Sequence, residues 1–298
     1  MNIGLLHPGE MGAAVGGCLV AVGHCVRWAS AGRSPATAAR AAAAGLTDAG
    51  SVTEVAGRSE LILSICPPHA AVDVARSVAG FQGIFVDANA ISPETARTIG
   101  PVIASGSFVD GGIVGPPPLA PGDTRLYLSG EHAAQVSDLF AGTAVDARVM
   151  PGTAGTASAL KMAYAAWTKG TSALLLAVRA LARAEDVEDV LLAEWALSQP
   201  GLPDRSERAA RSAAAKGWRW IAEMEEIAAT MTADGLPGGF HQAAAEVYRR
   251  SAPGDSSAGA SPASKSPASK SPAGESALDT ILAALLTFRD GDKSVLSS

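Results

Sequence analysis

The sequence predicts an α/β domain over residues 1–151, followed by an all-α region built on one long interdomain helix. Three observations carry this. Up to about Pro151, short apolar runs alternate with helical patterns, as when parallel strands are joined by helices. From Gly152 to about Glu185, Leu160, Tyr164, Trp167, Thr171, Leu174, Val178 and Leu181 recur at helical spacing. Roughly 30 residues at 1.5 Å each make a rod of about 45 Å, long enough to enter a second domain or a second subunit. Beyond it every periodic segment is helical.

The first apolar run, Asn2–Leu6, leads into His7-Pro8-Gly9-Glu10-Met11-Gly12 and then a helical pattern. Strand, glycine turn and helix in this order open a dinucleotide-binding unit. Gly9 lets a pyrophosphate approach the backbone, Gly12 lets the helix pack on the strand, and Glu10 and Met11 complete the binding turn. His7 stands where the motif G-x-G-x-x-G has its first glycine. Cys25–Ala29 reads as the second strand. No acidic residue ends it to hold a ribose 2′-hydroxyl; the loop is Ser30-Ala31-Gly32-Arg33-Ser34. Arg33, with the hydroxyls of Ser30 and Ser34, suits a 2′-phosphate, because a guanidinium pairs with phosphate as a fork. NADP (NADPH) is therefore expected rather than NAD; a basic surface loop is the alternative.

A helix at 36–44 and a helical link at 51–58 follow. Leu61–Cys66 is fully apolar and stops at Pro67-Pro68, so it is a buried parallel strand. Its end lies on the cofactor side of such a sheet, where Cys66, Pro67 and Pro68 would wall the ribose or nicotinamide. After a helix at 70–78, Gly83–Asp87 is a strand, and Asn89 is placed to contact the nicotinamide ribose or substrate. Ser92 caps the next helix, with Pro93 in its first turn. Ser107–Asp110 is a strand running into a glycine loop closed by Pro116-Pro117-Pro118. Segments 125–129 and 147–150 add strands around a helix at 131–139. Thr153 or Thr156 supplies the cap of the long helix.

Helices at 187–197, 204–215, 221–234 and 240–250 complete the body, with 216–220 and Gly235–Gly239 between the later ones. Trp195 and Trp218 are expected in the core between helices. Residues 251–276 are low complexity, with SPASK twice, and read as a flexible linker. Residues 277–298 form a C-terminal helix and tail. The net charge of −6 argues against a nucleic-acid partner. No apolar run reaches a membrane span of roughly 18 residues. The N-terminus starts a strand at once, without a signal core, so the expected location is cytoplasmic. Cys18, Cys25 and Cys66 read as reduced and buried.

In order and spacing, LLHPGEMG, WASAGRS, SICPP, VDANAISPET, DGGIVGPPP, GTASALKMAYAAWTKG and GLPGGFHQAAAEVYRR resemble the β-hydroxyacid dehydrogenase superfamily. That superfamily includes 6-phosphogluconate and 3-hydroxyisobutyrate dehydrogenases and imine reductases. The chain looks like the branch whose C-terminal region is a phosphogluconate-dehydrogenase-like domain of unknown function. The resemblance implies a Rossmann domain, a helical substrate and dimerisation domain at 152–250, a homodimer through the helical halves, and NAD(P)-dependent redox chemistry on a small molecule. It places the family's catalytic lysine on Lys161, as general acid/base. Tyr164 falls where phosphogluconate enzymes carry a histidine, and either donates a proton or packs in the stripe. The family's substrate loop falls on Asp110–Pro116, giving Gly112, Ile113 and Val114 as substrate residues, with Val114 in place of a serine. Ala165 replaces the usual asparagine. Thr168, two turns beyond Lys161, joins the expected substrate side, and His241 either reaches the site or starts its helix. The implied reaction is hydride transfer between nicotinamide and a small alcohol or carbonyl. Imine-reductase-like C=N reduction, or NADP(H) binding without turnover, are the alternatives.

Overall fold

The computed structural model describes residues 1–103, 106–251 and 276–287. The expected linker at 251–276 and the tail beyond Thr287 therefore fall almost wholly outside the described residues. The chain divides into two compact units, Met1–Ala163 and Tyr164–Ser298.

The first unit carries β1 (Asn2–Leu6), α1 (Glu10–Ala21), β2 (Cys25–Trp28), α2 (Pro35–Ala43), β3 (Thr47–Asp48), α3 (Val52–Gly57) and β4 (Leu61–Ser64). It continues with α4 (Ala71–Arg76), β5 (Ile84–Asp87), α5 (Pro93–Val102), β6 (Ser107–Val114), β7 (Thr124–Ser129), α6 (Ala133–Asp138) and β8 (Val145–Val149). The eight strands form one sheet in the order β3-β2-β1-β4-β5-β6-β7-β8. All neighbours are parallel except β6 and β7. This is the predicted α/β Rossmann-like sheet. The chain winds outward from β1 to β3, then crosses back to β4 on the other side of β1. Such a reversal opens a crevice at the carboxyl ends of the two inner strands. The two-residue β3 escapes a sequence reading, since so short a segment leaves no period.

The inner strands β1, β4 and β5 are mostly apolar because helices cover both faces. Ile3, Leu5, Leu61, Leu63, Ile84, Val86 and Val109 point into one core; Leu6, Ile62 and Phe85 point into the other. That alternation is the two-residue period of a strand. The second face changes character at the strand ends. Ser64, Asp87, Asp110 and Ser129 stand in register across β4, β5, β6 and β7, and all are fully buried.

Two expectations are corrected here. Gly111 to Val114 is not a loop but the second half of β6, paired antiparallel with β7 from Asp110–Ser129 to Val114–Arg125. The glycines are there for close approach. A Cβ on Gly111 would sit 2.9 Å from the Asp87 carbonyl oxygen. One on Gly112 would sit 2.9 Å from the Ala157 carbonyl oxygen and 3.1 Å from Lys161 Cβ. Nor does a threonine cap the long helix α7 (Thr156–Ala184). The Thr156 hydroxyl donates to the Thr153 carbonyl. The cap is Asp110, whose carboxylate accepts from the amides of Gly155 (2.8 Å) and Ser158 (3.0 Å).

In the second unit, α7 runs on to Ala184 and is followed by α8 (Glu188–Ser198), α9 (Leu202–Ala233), α10 (Gly239–Ser251) and α11 (Ala277–Thr287). The expected break at 216–220 is absent, and α9 is one helix of 32 residues. Glycine in a helix costs about 1 kcal/mol against alanine. Here Gly217 is buried with room for a neighbour: its Cβ would lie 3.5 Å from the Tyr248 ring. Tyr248 is fully buried, donates to the Lys169 carbonyl oxygen (2.6 Å), and meets Trp220 edge-on at 5.1 Å. Trp218, expected in the core, is 41% exposed, because it lies on the face of α9 turned from Tyr248. Trp195 is half-buried. Arg179, itself buried, bonds Glu188 and the Ser206 hydroxyl, and Arg183 bonds Glu188 and Asp279. These links tie α7, α8, α9 and α11 together. Removing Glu188 would strand the buried Arg179, which costs about 3–5 kcal/mol, whereas the exposed Arg183–Asp279 pair adds little.

The stripe read from the sequence of α7 is not its buried face. Tyr164, Trp167, Leu174 and Leu181 are 44 to 65% exposed, whereas Ala165, Ala173, Leu176 and Ala180 are buried.

Candidate active site

The glycine turn sits between β1 and α1. The Gly9 amide donates to the His7 carbonyl at 2.7 Å, which folds the turn back on itself. A Cβ on Gly12 would lie 2.6 Å from that same carbonyl oxygen, and one on Gly16 would lie 2.9 Å from Leu5. Only glycine at these places lets α1 rest on β1. A Cβ on Gly9 would meet nothing within 4 Å. Gly9 also makes no side-chain cap. The first turn of α1, at Glu10, Met11 and Gly12, thus offers amides and the positive end of a helix dipole to an anion across open space. Glu10, exposed in that turn, adds a negative charge.

His7 takes the left-handed backbone that the missing glycine would have taken, with φ +68°. For a non-glycine residue this costs roughly 1–2 kcal/mol. Its Nε2 lies 2.8 Å from Arg33 Nη2. A guanidinium is always a donor, so Nε2 is the acceptor and the ring proton sits on Nδ1. Nδ1 is buried with no hydrogen-bond partner among the described residues. Burial, reinforced by the Arg33 charge, pulls the imidazole pKa down to about 4, which keeps the ring neutral. Arg40 of α2 donates to the Pro8 carbonyl (3.2 Å) and steadies the same turn.

Arg33 follows β2. It is partly buried, and burial lowers its pKa. His7 is its hydrogen-bond partner, and no carboxylate pairs with it among the described residues. Ser34 caps α2 by accepting from the Thr37 amide at 3.3 Å. The Ser30 hydroxyl donates to Asp48, which also takes the Gly50 amide. Asp48 at the end of β3 is thus satisfied inside its own loop. Arg33 and His7 line a cavity of about 270 Å³ whose apolar wall includes Leu6, Ala29, Val52 and Val74. Asp73, also on its wall, is paired with Arg76 at 3.0 Å.

At the ends of β4 and β5, Asn89 is 2% exposed and engaged on every side. Its Oδ1 accepts from the Cys66 amide (2.5 Å), its Nδ2 donates to Asp87 (2.7 Å) and Ser64 (3.2 Å), and its own amide donates to Asp87 (3.0 Å). Asn89 therefore fixes the loop that presents Cys66, Pro67 and Pro68. Asp87 is wholly buried, and burial pushes its pKa up to about 7. The Cys66 thiol is pushed up to about 12, first by burial and then by Asp87, so it is no nucleophile at neutral pH. This latch left no sequence motif; the signal that could have found it is that each apolar run ends on a polar residue.

One strand further, Asp110 gathers the start of α7. Besides the Gly155 and Ser158 amides, it accepts from the hydroxyls of Ser158 (2.5 Å) and Ser129 (3.0 Å). Ser129 in turn accepts from the Ala157 amide (3.0 Å). The capped first turns carry Lys161, half-buried, against Gly112 of β6. Ile113 and Val114, next on the strand, are buried. Lys161 and Gly112 are thus brought together. A capped helix held to a strand end gives the lysine a fixed origin.

In the second unit, Tyr164 is 44% exposed. Thr168 is half-buried, and its hydroxyl bonds the Tyr164 carbonyl. His241 is buried against α7: its Nε2 lies 3.3 Å from the Ala166 carbonyl oxygen, and Gly170 leaves room for the ring. Its Nδ1 has no partner among the described residues.

Residues 182–251 match a family described as a domain of unknown function, DUF1932. An uncharacterized 28.5 kDa protein of Methanothermus fervidus, from a 7S RNA 5′ region, is 30% identical over 196 residues, 64% of this chain and 75% of the relative. The fold is similar to that of a conserved protein of unknown function whose structure is described as similar to 3-hydroxyacid dehydrogenases. That likeness has 28% identity, a TM-score of 0.63, and covers 84% of this chain and 96% of the other. It is also similar to 3-hydroxyisobutyrate dehydrogenase of Mycobacterium tuberculosis, solved with L-serine, at 20% identity and a TM-score of 0.61 over 83% of this chain and 92% of that one. With an eight-stranded Rossmann-like sheet, a long helix capped from the strand edge, and a DUF1932 region after it, the chain belongs to the β-hydroxyacid dehydrogenase-like superfamily.

Proposed function

We propose that the protein is an NADP-dependent oxidoreductase that passes hydride between the nicotinamide and a small alcohol or carbonyl. The observation that carries the cofactor choice is Arg33. A partly buried guanidinium with no carboxylate partner among the described residues, on the wall of a cavity, is a charge in want of an anion. The turn fits the rest of the group. Its uncapped helix start and the open space over Gly9 suit a pyrophosphate, and the apolar wall suits an adenine ring. When bound, the nicotinamide supplies the hydride acceptor or donor. The chain's own part is to bind, orient and move a proton. Lys161 gives or takes the proton on the substrate heteroatom, from a helix held against Gly112.

Titration of NADPH and NADH into the protein tests the cofactor, and turnover with aldehydes, ketoacids and imines tests the reaction. NADPH is expected to bind more tightly, and Arg33→Ala to erase the difference. Lys161→Met is expected to lower kcat by about 10²–10⁴ while NADPH affinity stays within about twofold. Binding without turnover across the panel would favour a sensor. The exposed apolar face of α7 supports a homodimer through the helical region, since Tyr164, Trp167, Leu174 and Leu181 form a patch that solvent does not favour. Leu174→Glu should then yield monomers in sedimentation.

A further inference from the structure

We propose that His7 is a specificity-determining residue for the cofactor's 2′-phosphate, acting through Arg33. This rests on the NADP reading above and adds to it a residue that lies outside the Ser30–Ser34 loop.

His7 is a residue in the wrong place. The turn needs a left-handed φ at its first position, and glycine would adopt it without strain. Histidine is there at φ +68° instead. A side chain kept against strain does something a hydrogen atom cannot. What this one does is accept from Arg33 Nη2 at 2.8 Å, across 26 residues of sequence. Arginine is a long chain with about 2 kcal/mol of rotamer entropy. Tethering one edge of its guanidinium leaves the other edge free and spends that entropy before the ligand arrives.

Since Nε2 accepts, Nδ1 carries the proton. It is buried, and no acceptor meets it among the described residues. A buried orphan donor costs about 1–3 kcal/mol. With no surface open to the cavity, Nδ1 adds to the cost of keeping a histidine here, a cost that the Nε2 contact with Arg33 must outweigh. Neutral histidine suits this role, because it accepts from Arg33 without adding a repelling charge.

The test is cofactor binding, read by nicotinamide fluorescence or calorimetry, on the full chain. His7→Gly restores the residue the turn prefers, so its melting temperature should equal or exceed that of the wild type. Its affinity for NADPH should fall about tenfold or more, the worth of one hydrogen bond to a charged group, while NADH binding changes by less than about twofold. His7→Gln, with a carbonyl of similar reach, should recover most of the NADPH preference. An equal loss for both dinucleotides, or no loss for either, would overturn the inference, since His7 would then shape the turn alone. Arg33→Ala separates this from the NADP reading. If Arg33→Ala leaves the preference intact, the 2′-phosphate site itself is wrong. If it abolishes the preference and His7→Gly does not, only the role of His7 is wrong.

Discussion

Replacing Asp110 should loosen the start of α7 before it loosens anything else. The carboxylate is fully buried and accepts four hydrogen bonds: the amides of Gly155 and Ser158, and the hydroxyls of Ser158 and Ser129. Asp110→Ala leaves two amides without a partner at the N-terminus of a 29-residue helix. Loss of an N-cap costs about 0.5–2 kcal/mol, and each buried donor left unmade costs about 1–3 kcal/mol. The hydroxyls can turn to other acceptors, so their share is small. The two amides are the cap itself, so together they cost about 2–6 kcal/mol, offset in part by the desolvation that a buried carboxylate no longer suffers. Asp110→Asn keeps one acceptor oxygen and the shape, and should cost about half as much. Amide hydrogen exchange is the assay, because it reads the first turn locally without requiring the two units to unfold together. Amides from Ser158 to Met162 should exchange roughly 100-fold faster in Asp110→Ala, while those of β1 and β4 stay as protected as before. On the role proposed for Lys161, turnover should drop with them, since Lys161 lies in the next turn of the same helix. Exchange within about threefold of wild type would refute the cap, and with it the claim that the sheet edge sets the lysine's position.

Asp87 gives a pH prediction of definite sign. Its folded pKa of about 7 lies above that of an unfolded aspartate, so the fold holds a proton that the unfolded chain releases. Its contribution is nil below about pH 4, becomes a growing penalty as pH rises toward 7, and levels off beyond. Asp87→Asn should flatten the fall in melting temperature between pH 5 and 8; an unchanged slope would acquit this group. Gly112→Ala must push α7 off β6, because its Cβ would lie 2.9 Å from a backbone oxygen. A loss of about 1–3 kcal/mol and a lower kcat are expected, and a variant of wild-type stability would mean that α7 yields freely. Glu10→Gln removes a negative charge from the first turn of α1, where the pyrophosphate of the proposed cofactor would sit. It should tighten NADPH by about two- to fivefold at low salt, with the gain shrinking at high salt as screening sets in.

The order of strands and helices was legible because each buried strand is a short apolar run with a turn after it. The glycine turn and Arg33 were legible for the same reason, being local to a strand end. What the sequence hides is reach. His7 and Arg33 are 26 residues apart, and Asp110 meets the first turn of α7 from 45 and 48 residues away. Capping rules look for a partner among neighbours, so they nominated Thr153 and Thr156. The side of a helix is hidden too. A stripe of Tyr164, Trp167, Leu174 and Leu181 marks an apolar face but not what covers it, and within one chain the alanines beside it are the buried ones. Gly111-Gly112 misled in the opposite sense. Two glycines suggest a loop when read along the chain; read across the sheet, they are the only residues that fit where β6 lies under the Ala157 carbonyl and beside Ala88. The same crossing places Asp110 one residue before them, buried and in register with Asp87 and Ser129, which is where an acceptor must stand if the helix carrying Lys161 is to begin at the sheet's working edge.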